Sequence, residues 1–136
     1  MSAEEETYEY EEGAAQQEVE EDTTINNSDV IVKYKKGAQW ANETVEELVK
    51  LCIPGAKVAD LCKEGDRIIT EKVKGQFKCD KGIALPTSIS INNCATGYSP
   101  VPAEETEPVV IQANDMVKID LGVQVDGYPS VISHTI

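Results

Sequence analysis

Apolar residues occupy every second position from Val117 to Val125, with Lys118, Asp120, Gly122 and Gln124 between them. That alternation predicts a half-buried β-strand. Asp126-Gly127 follows as a two-residue turn tolerant of positive φ, and it predicts a hairpin whose return strand covers 128–136. Upstream the period changes. Val30, Ile31, Tyr34, Ala38, Ala41, Val45, Leu48, Val49 and Cys52 recur mostly at three- and four-residue steps, which predicts an amphipathic helix over 29–51 capped by Ser28 and Asp29. Gly37 sits inside it at a cost of roughly 1 kcal/mol relative to Ala. Pro54 and Gly55 end that helix, and Val58, Leu61, Cys62, Ile68 and Ile69 predict a second over 57–72.

Residues 74–82 read as a basic loop or short edge strand. Ile89 and Ile91 alternate within 88–93, and Pro86 interrupts the run, so the strand is expected to begin after it. Three prolines and three glutamates make 100–108 a surface loop. Two helices followed by antiparallel strands is an α+β layout. The chain stops in or at the end of its last strand, so an unpaired sheet edge is expected, and the sequence reads as the first part of something larger.

Charge changes this picture at one end only. The net charge of −13 is concentrated in residues 1–29, which hold eleven acids and no Lys or Arg. The remaining 107 residues carry 14 acids and 12 bases, close to neutral. We therefore divide the chain into an acidic tail over 1–27, expected to be disordered through self-repulsion, and a folded part over 28–136. The start is acidic rather than apolar, so no signal peptide is expected, and no apolar run suits a membrane span. Cys52, Cys62, Cys79 and Cys94 contain no Cys-x-x-Cys pair and His134 is the single histidine, which gives no support for structural zinc and fits reduced thiols in a cytosolic or nuclear setting.

Two features carry candidate chemistry. Asp120 sits mid-strand, where β-propensity disfavours a short acid, so it is either solvent-facing or half of a metal-binding carboxylate pair. The lysines form two groups: Lys33, Lys35 and Lys36 near the start of the first helix, and Lys72, Lys74, Lys78 and Lys81 around Phe77. A basic loop with one aromatic suits an RNA backbone and a stacked base, although a folded part near neutrality has little surplus charge for nucleic acid.

Three blocks then appear in order: "SDVIVKYKKGAQWAN" at 28–42, "GIALPTSISINNC" at 82–94 and "VKIDLGVQVDG" at 117–127. Together they resemble the pita-bread fold of type 2 methionine aminopeptidases. The likeness is closer to its proliferation-associated branch, whose members are described as ErbB-receptor-binding and, in fungi, curved-DNA-binding proteins. The resemblance covers about 28–136 and implies the N-terminal half of that fold, with long helices on an antiparallel sheet and a second, pseudo-symmetric half absent.

In these aminopeptidases, carboxylates bridging two divalent ions lower the pKa of a shared water, so that hydroxide forms at neutral pH. The resemblance implies two aspartates on one hairpin from the first half, and a histidine and two glutamates from the second. It places the first aspartate at Asp120 and the second eleven positions on, at Val131, which has no lone pair to offer. It places a substrate-contacting histidine just after "NNC", where Gly97 stands. A lone carboxylate does not make a hard-cation site. The expectation is therefore an inactive homologue with no catalytic residue, no metal set and no cofactor, in which Asp120 is vestigial. His134 occupies a position where that branch also carries histidine, and it is read as a partly buried or surface residue.

The resemblance implies association with ribosomes or structured RNA in the regulation of translation, ribosome biogenesis or growth. It also implies curved DNA or protein partners, and a place in the cytoplasm and nucleus or nucleolus, away from membranes. Two other readings stay open: a fragment of a metal-dependent methionine aminopeptidase-type hydrolase completed by a separate chain, and a protein-interaction module working through the acidic tail. The surface facing the absent half is expected to be apolar and to drive dimerisation or association.

Overall fold

The computed structural model of the chain describes residues 20–104 and 106–136. Two helices, α1 (Ser28–Leu51) and α2 (Val58–Lys72), precede three strands, β1 (Lys81–Ile91), β2 (Val117–Val125) and β3 (Tyr128–Thr135). The strands form one antiparallel sheet in the order β1-β2-β3. This is the α+β layout expected from the two hydrophobic periods. Of the acidic tail over 1–27, residues 1–19 lie outside the described residues.

The alternation in β2 sorts its side chains onto two faces. Val117, Ile119, Leu121, Val123 and Val125 are buried, and both helices cover that face, α1 lying over β2 and β3 and α2 over β1. Trp40 and Leu48 of α1, Leu61 and Ile69 of α2, and Ile89 of β1 complete the core. Each such side chain contributes about 1.5–3 kcal/mol relative to exposure. Lys72 ties the helices together, its Nζ lying 2.7 Å from Glu47 and 3.3 Å from Glu43.

Close approach of helix to sheet depends on glycines. A Cβ on Gly65 would lie 2.5 Å from Thr87 Oγ1, and one on Gly37 would lie 3.1 Å from Ser130 Oγ. The helical contact at Gly65 is fixed on both sides: the Thr87 amide donates to Asp66 Oδ1 at 2.8 Å, and the Ser99 hydroxyl donates to the Thr87 carbonyl at 2.8 Å. Gly37 is thus a packing requirement as well as a helix penalty.

Two local expectations need correction. The cap of α1 is Asn27, whose side chain accepts from the Asp29 amide, and not Ser28 or Asp29. Strand β1 runs through Pro86 and does not start after it. The ladder absorbs the proline by register shifts between Ile83 and Leu85 and between Leu85 and Ser88, and β1 is an edge strand, where a missing N–H is tolerated. The hairpin turn has φ of 54° at Asp126 and 79° at Gly127, as a two-residue connection requires. Residues 74–80 are loop and turn, and 100–108 carry no strand or helix among the described residues.

Candidate functional site

The face of the sheet away from the helices carries the even-numbered residues of β2. Pairing across the three strands lays out two rows, Ser88–Asp120–Ser133 and Leu85–Gly122–Val131. The first row is polar and the second apolar. Asp120 is half-buried and stands between two serines.

A fourth polar group arrives from the chain after β1. Asn92 turns that chain at φ 53° and is pinned to the strand opposite: its side chain accepts from the Met116 amide at 2.8 Å and donates to Asp115 Oδ1 at 2.9 Å. The Gln112 amide, then Asn92, hold the Asp115 carboxyl below its usual value. The segment then folds back along β1, with the Tyr98 amide donating to Ser90 Oγ at 3.2 Å and the Ile89 amide to the Tyr98 carbonyl at 2.9 Å. Thr96 is thereby set over Asp120.

The Thr96 hydroxyl donates to Asp120 Oδ2 at 2.8 Å, and the Ser133 hydroxyl donates to Asp120 Oδ1 at 2.5 Å. These groups line a cavity of about 290 Å³ together with Leu85, Pro86, Ser88, Gly97, Ser99 and Val131. Gly97 takes φ +80°, a conformation that would strain the histidine expected there by resemblance. Val131 is 60% exposed, on the same face as Asp120 and one row along.

This donor set does not fit a dinuclear metal centre. Where the resemblance implies two carboxylates, the sheet offers Asp120 and the isopropyl group of Val131. Both oxygens of Asp120 already accept from hydroxyls. Among the described residues no three His, Cys, Asp or Glu side chains converge as metal ligands. Burial pushes the Cys52 and Cys62 thiols up to about 11, so neither supplies a thiolate at neutral pH.

The other singled-out residues lie elsewhere. His134 is exposed on the opposite face of β3, on the rim of a groove of about 460 Å³ between α1 and β3, and so is separate from Asp120. Lys33 pairs with Asp126 at 2.5 Å and lies over the Tyr128 ring. Lys36 lies over Trp40, Lys72 bridges the helices, Lys74 pairs with Glu71 at 2.7 Å, and Lys81 donates to the Phe77 carbonyl. Lys35 and Lys78 are exposed, with no partner among the described residues. Phe77 lies in the loop as expected, with its ring half-buried against the core and edge-on to Trp40 at 6.3 Å. Ser88, Thr96 and Ser133 carried no expectation from the sequence. For Ser133 a signal existed, because counting six residues back from each side of the two-residue turn brings it opposite Asp120.

Comparison with known proteins bears on this site. Residues 32–136 match the profile of Metallopeptidase family M24. The chain is 35% identical over 121 residues to ErbB-3 binding protein 1 of Solanum tuberosum, covering 85% of this chain and 30% of that protein. It is 34% identical over 130 residues to the probable metalloprotease arx1 of Schizosaccharomyces pombe, covering 87% and 31%. The solved structure of a thermophilic Arx1 superposes with a TM-score of 0.78 at 38% identity, covering 81% of this chain and 30% of that one. The chain thus spans about three tenths of the length of the relatives it matches.

Proposed function

The chain belongs to metallopeptidase family M24 and carries the α+β layout of its pita-bread fold, and on that premise we propose that the protein is a non-catalytic member acting in the cytoplasm and nucleus as a binding partner of ribosomes or structured RNA. The observation that carries the reading is the pairing of Asp120 with two hydroxyls, beside a Val131 that the family resemblance places where a second carboxylate is expected. A first half that contributes one engaged carboxylate gives a pair of divalent ions too few bridging oxygens, so hydroxide is not generated at neutral pH. One relative's name records binding to ErbB-3, and another's records a probable metalloprotease. Of these two descriptions the site chemistry favours the first kind of role.

Titrating the chain with Mn²⁺ or Co²⁺ in a calorimeter, beside a methionyl-peptide hydrolysis assay, tests the catalytic half of the proposal. No stoichiometric heat and no hydrolysis are expected. Tight binding of two ions with turnover overturns it. The binding half is tested by co-sedimentation with ribosomal subunits over a salt series, with curved and straight DNA duplexes as competitors. Of the two lysine groups, Lys33, Lys72 and Lys74 pair with acids, and Lys35 and Lys78 have no partner among the described residues; phosphate contact through those two alone would give log K against log salt a slope of about −1 to −2. No association at low salt overturns the ribosome assignment.

A further inference from the structure

Strand β3 has an open edge. Val117 and Ile136 exchange both backbone hydrogen bonds, at 2.8 and 2.9 Å, and bonded and non-bonded pairs alternate along an antiparallel ladder. The even-numbered residues of β3 therefore bond to β2, and the N–H and C=O groups of Val131, Ser133 and Thr135 point away from it. Those groups have no backbone partner among the described residues. Pro129, further along the same edge, offers only a carbonyl. Unpaired groups of this kind are a template for another strand. On the helix side of the edge lies the groove of about 460 Å³, walled by Ile132 and His134 and by a stripe of α1 that includes Val45, Glu46, Val49 and Lys50. Val49 and Ile132 are half-buried there. Glu46 and Lys50 are exposed, one turn apart, and form no ion pair among the described residues.

We propose that this edge and groove dock a second copy of the chain about a two-fold axis, β3 pairing antiparallel with β3. The choice of occupant follows from self-complementarity. An axis through Ser133 sets it against Ser133 of the second copy and sets Val131 against the second copy's Thr135. Every outward N–H and C=O of these residues is then paired, and Pro129 stays outside the ladder. On the helix side the same axis sets Ile132 against His134 of the second copy. It also reverses α1, so that Glu46 faces Lys50 of the second copy and Lys50 faces its Glu46. Exposed ion pairs of this kind fix register and add little strength. The strength comes from the added strand pairing and from taking Val49 and Ile132 out of water. An unrelated strand satisfies the edge but does not bring the two charges in reversed order. The contact lies apart from Asp120, so it does not depend on whether that face holds metal.

The test is sedimentation equilibrium of the full 136-residue chain at low salt. A closed monomer–dimer equilibrium is expected. Glu46→Lys and Lys50→Glu should each weaken dimerisation about tenfold, because each sets like charges across the axis. An equimolar mixture of the two variants should recover a dimer at least as tight as that of the unaltered chain, since one copy then carries two cations along the stripe and the other two anions. That recovery also separates a lost contact from a lost fold. Thr135→Pro removes an outward N–H without touching the β2 ladder, and it should weaken dimerisation with an unchanged unfolding midpoint. Hydrogen exchange reads the strand itself. The Val131, Ser133 and Thr135 amides should exchange more slowly as concentration rises, while those of Ile132 and His134 stay protected throughout. A chain that is monomeric at every concentration, an open-ended series of larger species, or charge variants that fail to recover on mixing overturns the proposal. Slowing of the same amides in a monomer only when an unrelated extended peptide is added assigns the edge to a foreign strand and overturns it as well.

Discussion

A single methyl group at position 65 sets helix propensity against packing. Alanine is preferred over glycine inside a helix by about 1 kcal/mol. At Gly65, however, the added Cβ would lie 2.5 to 2.9 Å from three atoms of Thr87, whose own backbone is held by Asp66 and Ser99. Overpacking of that kind costs about 1–3 kcal/mol. Gly65→Ala should therefore lower stability by a net of up to about 2 kcal/mol in urea unfolding, and a gain would show that α2 can lift off β1 freely. Thr87→Val tests the same contact from the other side. Thr87 Oγ1 is buried without a hydrogen-bond partner among the described residues. Removing it at constant shape should raise stability by about 1 kcal/mol, because an unpaired buried hydroxyl is costly.

The start of α1 separates two sequence-level readings of one element. The Asn27 side chain caps the helix, so Asn27→Ala should cost about 1 kcal/mol, whereas Ser28→Ala should stay within about 0.5 kcal/mol. Circular-dichroism melts of the two variants decide between the caps. The α1–α2 junction has a pH dependence. Glu43 is held below its usual value, first by the Gln39 amide and then by Lys72, so its contribution is present above 4.5 and lost as pH falls below it. Lys72 is raised, first by Glu47, so its contribution is complete below 10.5 and lost as pH climbs past it. Stability should form a plateau between those limits, and Lys72→Met should lower the plateau by less than about 1 kcal/mol, since the partners are partly solvated. Helix extents, β2 and the hairpin were legible because periodicity and turn chemistry act over a few residues. The cap was not, since Asn26, Asn27, Ser28 and Asp29 are all competent and local geometry chooses among them. Strand β1 was misplaced because a proline breaks a central strand and is absorbed at an edge by a bulge. Asp120 stood out by breaking β-propensity, and Ser133 followed from the turn. Ser88 and Thr96 depend on that bulge and on the fold-back after Asn92, which no local pattern encodes.

Across the molecule, polar and apolar surface are unevenly distributed. Residues 128–136 contain no Lys, Arg, Asp or Glu, although β3 is an outer strand of the sheet among the described residues. Charged edge residues are the usual protection against strand-to-strand association. Val131 on the open face is 60% exposed and Ile136 at the chain end 41%. The chain should therefore self-associate at rising concentration in sedimentation velocity, and His134→Lys, which places a charge on the exposed edge, should shift the distribution towards monomer. No change would locate the association elsewhere. The near-neutral folded part argues that this contact is set by apolar surface, so added salt should strengthen it, opposite in sign to the salt response of phosphate binding.

The burial that keeps Cys62 protonated also gives the protein an internal clock. Cys62 is carried by α2 and buried against the rest of the core, its sulfur faces the Tyr98 carbonyl, and its thiol is pushed up to about 11. An alkylating reagent at neutral pH can reach that sulfur only when α2 opens, so its labelling rate counts openings of the core. Every substitution discussed above can then be ranked in one assay by how much it slows or hastens the modification of a single atom.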